Sequence, residues 1–136
     1  MPDIPSKING VTVEFASTVK KGVHQRMIDG LNHCIKANVA SGHTLSKIFI
    51  SSASDSHSPP SRHTQEKAVD ISRINGAKIV IGYPAGGFVK AIVDAIQTAF
   101  ESYTHRRENF GPHFKKKLGL NHSVSGHKDH IHFSVN

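Results

Sequence analysis

Apolar residues recur along this chain at two periods, and the switches between them mark its elements. Val11, Val13 and Phe15 alternate with Thr12 and Glu14, which predicts a short strand over 11–15. From Val19 the spacing becomes four. Val19, Val23, Met27, Leu31, Ile35 and Val39 fall on one face of a long helix, with Ile28 and Cys34 beside them and Ser17 or Thr18 as its cap. Gly22 and Gly30 weaken that helix but suit close packing, and Ser41-Gly42 ends it. Lys47–Ser51 reads as a short apolar strand, followed by a loop rich in Ser, Pro and His that runs to His63. Ala68–Ser72 and Lys78–Gly82 read as the two strands of a hairpin about the Asn75-Gly76 turn. Tyr83–Gly87 reads as a loop. Phe88 to about His105 is a second helix, with Phe88, Ile92, Ala95, Ile96, Ala99, Phe100 and Tyr103 on one face. Arg106–Lys117 is a basic stretch holding two aromatics, Phe110 and Phe114. Gly119–Lys128 is a polar loop and His130–Val135 a last strand.

This order predicts one α+β domain over residues 1–136: two long helices against a mainly antiparallel sheet. At 136 residues a single core is feasible without staples, and 37% hydrophobic with 20% charged residues fits a globular chain. The lone cysteine, Cys34, excludes an internal disulfide and reads as a buried thiol. A formal charge of +7 favours polyanions such as nucleic acid, anionic lipid or an anionic cell wall, without choosing among them. The opening MPDIPSKING has no apolar signal-peptide core, and no apolar run reaches the length of a membrane span. The expectation is a chain made in the cytoplasm, not inserted in a membrane, and delivered by other means if its substrate lies outside.

Chemistry concentrates in two stretches. In SRHTQEKAVDIS, Asp70 lies inside an otherwise apolar strand, where a carboxylate is costly to bury without a partner. A divalent metal shared with His63, seven residues earlier, would be such a partner. In the last strand, His130 and His132 are two apart and so share a face, and Asp129 lies three before His132. Three such ligands and one open position make a catalytic zinc site, and mixed His/Asp ligation with an open position favours zinc over manganese or cobalt.

SRHTQEKAVD resembles the SxHxxGxAxD signature of the zinc peptidases that group lysostaphin-like endopeptidases, D-Ala-D-Ala metallopeptidases and the hedgehog domain. DHIH is similar to their second motif, an acid followed three residues later by the third ligand, or an HxH. The resemblance runs from about Ile48 to the C-terminus and lies nearest to phage endolysins of the D-alanyl-D-alanine carboxypeptidase-like family. It implies a hedgehog-like fold, zinc on His63, Asp70 and His132, Asp129 as general base and acid, and His130 as a donor to the oxyanion. The substrate it implies is peptidoglycan, cut in a stem-peptide amide, in first place L-alanyl-D-glutamate because the acid is Asp129 rather than Glu. A D-Ala-D-Ala carboxypeptidase or dipeptidase and a non-catalytic zinc-containing wall-binding domain are the alternatives. It further implies a monomer that reaches the wall through a holin or a tail device, with nucleic acid not expected as a partner. Two departures stand out. Glu66 occupies the motif's glycine position, so the turn there must be made differently. The stretch SSASDS lacks the arginine that many members carry before the motif, which leaves Arg62 and Ser61 as the candidates for substrate binding.

Overall fold

The computed structural model describes residues 1–54 and 65–136. Ser61, Arg62 and His63 lie outside the described residues.

The strands are β1 (Lys7–Ile8), β2 (Val11–Phe15), β3 (Lys47–Ser52), β4 (Ala68–Ile74), β5 (Ala77–Lys78), β6 (Arg106–Phe110), β7 (Lys115–Lys117), β8 (Leu120–Asn121) and β9 (Ile131–Val135); the helices are α1 (Gln25–Cys34), α2 (Ile79–Ala85) and α3 (Gly87–Phe100). Among the described residues they form an α+β fold around one mixed sheet, in the order β1-β2-β3-β4-β9-β6-β7-β8 with β5 on β4. The β2–β3 pair is parallel and the others antiparallel.

One face of the sheet carries the core. Val69 pairs with Phe133 and Phe133 with Asn109, so β4, β9 and β6 present one row toward the helices. Phe133 stacks on Phe100 of α3 with ring centroids 4.0 Å apart, and both are fully buried. Helix α1 crosses α3 at Gly30, where a Cβ would stand only 3.1 Å from Phe100 and Tyr103. That glycine thus serves close packing, as its position in the apolar stripe suggested. Cys34 is buried, and burial pushes its thiol pKa up.

Two expectations need correction, and a third stretch takes a form the pattern left open. The first helix is ten residues long and starts at Gln25, not near Val19. Residues before it spend their backbone groups on the N-terminal arm instead: Ile4 N–H donates to Lys21 O and Val23 N–H to Pro2 O, and Asp3 bridges Gly22. His24 caps the helix, its Nδ1 accepting from Arg26 N–H at 3.1 Å, and the Asn9 amide covers the carbonyls of Asn32 and Ile35 at the other end. Second, the Asn75-Gly76 hairpin exists, but its second strand is only Ala77–Lys78; Ile79–Ala85, read as strand and loop, is helix α2. Gly82 lets α2 meet α3, since a Cβ there would fall 2.6 Å from Val89. Third, Arg106–Lys117 is a β-hairpin, β6–β7, tied down by buried polar groups. Gln97 Nε2 donates to Asn109 Oδ1 and to Phe114 O, both at 3.0 Å, and Asn109 Nδ2 returns a bond to Gln97 O at 2.8 Å.

Candidate metal and catalytic site

The candidate chemistry lies on the face of the sheet away from the helices. Because side chains alternate along a strand, the residues between the core positions all point there. Ser52 pairs with Asp70, Asp70 with His132, His132 with Phe110 and Phe110 with Lys115, so five strands place these residues in one transverse row.

Asp70 and His132, predicted as two ligands and 62 positions apart in the sequence, meet here. His132 Nδ1 stands 2.9 Å from Asp70 Oδ1. In a tetrahedral zinc site with bonds of about 2.0–2.1 Å, neighbouring ligand atoms stand roughly 3.3 Å apart. The Asp70–His132 pair therefore already has nearly the separation that two ligands of one ion require. The donor set, one carboxylate oxygen and one imidazole nitrogen, suits zinc. Among the described residues no three His, Cys, Asp or Glu side chains converge on one point. What is in view is two of the three expected ligands, with His63 outside the described residues.

The opposite nitrogen of the same ring, Nε2, stands 3.0 Å from Glu108 Oε1 on β6. Carboxylates only accept, so with these two partners both ring nitrogens donate and the ring is an imidazolium. Burial alone would lower the His132 pKa; the hydrogen bonds to Asp70 and Glu108 outweigh it and raise it to about 9. Burial would likewise raise the Glu108 pKa, but bonds from His132 and Ser134 hold it at about 2. Glu108 was not singled out from the sequence. Its signal was slight: a lone acid in a basic run, two residues before Phe110 and therefore on the same face.

His130 and Asp129 sit at the rim. The His130 Nδ1–H donates to Asp129 Oδ1 at 2.7 Å, and His130 Nε2 lies 4.0 Å from Asp70 Oδ1. Asp129 itself is 65% exposed. The bond from His130 lowers its pKa. Asp129 also lines a groove of about 200 Å³ together with Ser72, Arg73, Lys78 and Val80.

Aromatic rings floor the other side. Phe110 stacks on His132 and on His122, each with centroids 5.6 Å apart, and His127 meets its edge at 5.1 Å. His127, which the sequence left as a polar loop residue, lies with its ring centre 4.9 Å from that of His130. Burial and the neighbouring His130 and His132 lower its pKa. A second groove of about 610 Å³ runs past Phe114, Lys115 and His122.

The Glu66 anomaly has a clear answer. Glu66 has φ 61, the left-handed region where glycine is least strained. The turn is thus made in a glycine-like conformation with a side chain in place, and Glu66 O accepts a bond from His24 N–H at 2.7 Å.

No protein-family model, curated protein or solved structure matches this chain. The metal and proton-transfer reading therefore rests on the residues and their geometry, and peptidoglycan as substrate on the resemblance of the two motifs alone.

Proposed function

We propose that the protein is a zinc-dependent peptidase of peptidoglycan, cutting a stem-peptide amide such as L-alanyl-D-glutamate. The observation that carries this is the meeting of Asp70 Oδ1 and His132 Nδ1 at 2.9 Å on adjacent strands, with His130 and Asp129 at the rim of the same site. Asp70 and His132 would hold the ion, with His63 as the third ligand. Bound zinc would supply a water acidified toward a pKa of about 7 and polarise the substrate carbonyl.

The chain's own residues would manage proton and substrate. Since Asp129 takes the Nδ1–H of His130, Nε2 is left turned toward Asp70. A proton accepted at Nε2 is stabilised by the Asp129 carboxylate and can then be returned to the leaving amine. Asp129 and His130 thus act as a pair, in place of the separate roles of base and oxyanion donor expected from the sequence. Arg73 and Lys78, in the groove beside Asp129, are cations placed to meet an anionic group of the substrate. The stretch SSASDS has no arginine for that role.

The test is zinc content combined with clearing of purified cell walls. Zinc-dependent clearing is expected, with new N-terminal D-glutamate among the released peptides. Release of free D-alanine would instead support the carboxypeptidase alternative. A stoichiometrically zinc-loaded protein that leaves walls intact would remove the hydrolase reading.

A further inference from the structure

The zinc reading uses Asp70 and His132 but leaves Glu108 without a task, although Glu108 makes the second contact on the His132 ring. We infer that Glu108 is a positioning residue that holds the Nε2–H of His132 and so presents Nδ1, the nitrogen beside Asp70, as the metal-binding atom. This inference rests on the zinc reading above.

An imidazole ligand must be neutral, so one nitrogen binds the metal while the other keeps its proton, and the partner of the second nitrogen decides which is which. Nδ1 faces Asp70 Oδ1 at 2.9 Å and Nε2 faces Glu108 Oε1 at 3.0 Å. The two nitrogens point away from each other across the ring. An ion shared with Asp70 would therefore take Nδ1, and Glu108, bonded to the opposite nitrogen, would not be among its ligands.

Glu108 is also built to stay in place. Its Oε1 accepts from Ser134 Oγ at 2.8 Å, while Ser134 Oγ accepts from the Glu108 backbone N–H at 3.0 Å. The carboxylate is thus closed into a small ring with the neighbouring strand, and swinging it away breaks two bonds. Lys117, its cross-strand partner on β7, adds a favourable charge. Phe110 stacks on the His132 ring at 18° and resists its rotation. Asp70, by contrast, is shared between His132 and the approach of His130. The firm end of the ring is the Glu108 end, and the end offered to a ligand is Nδ1.

The experiment uses the full chain loaded with zinc and labelled with nitrogen-15 at histidine. Long-range proton–nitrogen correlation should show His132 protonated at Nε2 and metal-bound at Nδ1. Ligation through Nε2 would overturn the inference without any variant being made. Next, zinc affinity is measured by competition with a chromophoric chelator. Glu108→Ala should bind zinc about 10–100-fold more weakly, the range for losing an outer hydrogen-bond partner of a ligand. Glu108→Gln keeps an acceptor oxygen at the same place and should recover part of that loss. An unchanged affinity in folded Glu108→Ala would sink the positioning role and leave the zinc reading standing. Wild-type protein that binds zinc no better than His132→Ala would remove both.

Discussion

Strand β9 has two faces one residue apart in sequence and opposite in character. Ile131, Phe133 and Val135 face the helices and bury completely among Phe100, Val69 and their neighbours. His132 and Ser134 are buried almost as well, but on the other face, where both hydrogen-bond to carboxylates and His132 also stacks on Phe110. Equal burial therefore has two different causes. On the helix side it reflects apolar area removed from water, which is non-directional and tolerant of detail. On the open side it is sustained by hydrogen bonds and charge, where each partner lost leaves another group stranded. The first face should govern whether the chain folds, the second what it can bind.

That division can be broken most sharply at Asp70. Asp70→Ala is expected to lower zinc affinity by more than the roughly 100-fold that marks loss of an outer partner, and to abolish wall clearing. Far-ultraviolet circular dichroism should stay native-like; loss of the fold would mean that the open face is structural too. At the rim, His130→Ala should cut turnover about 10²–10⁴-fold, the usual contribution of a positioned proton-transfer group. Zinc content should be unchanged. Asp129→Ala should produce a smaller loss of the same kind, and the reverse order would return the base role to Asp129.

On the helix face, Phe133→Ala should cost about 3–5 kcal/mol in urea unfolding, as large-to-small changes in a packed core do. The fraction that remains folded should bind zinc as tightly as before. Smaller still is the pH dependence of metal-free protein. His132 has its pKa raised to about 9, so its contribution is fully present below about 6.5 and is lost as pH rises through about 9. Glu108 has its pKa lowered to about 2, so its contribution is present above about 4.5 and fades as pH falls toward 2. Thermal melts in the presence of chelator should therefore pass through a broad maximum between those limits; a monotonic profile would contradict the His132–Glu108 pairing. The mildest change is Glu66→Gly, which relieves a left-handed residue and should stabilise by up to about 1 kcal/mol, offset in part by the greater freedom of glycine in the unfolded chain.

The sequence was most legible where periodicity is local. Strands β2, β3, β4 and β9 fall within a residue or two of the alternations that predicted them, because each has one face on the core. The long fourfold stripe overstated α1, since Val23 is held by the N-terminal arm, a contact no local pattern announces, and Val19 N–H turns back to Ala16 O. The run Ile79-Val80-Ile81 could not distinguish strand from helix, and α2 buries only its first residue. The meeting of Asp70 and His132 was readable because each shares its strand's open face, and the nearness of Asp129 and His130 because they immediately precede β9. Glu108 and Phe110 were hidden by the charge around them. Their roles arise from pairing across β6 and β9, and Phe110 proves to line the site rather than the core.

The position of β9 between β4 and β6 also bears on how the molecule is made. Asp70 and His132 are 62 positions apart in the chain, so their encounter closes a long loop and belongs among the slower, non-local events of folding. Until β9 docks, β4 and β6 each present an open edge that can template pairing with another chain. Because zinc would bind only the assembled arrangement, metal present during refolding should trap that late state and raise the yield of monomer over aggregate.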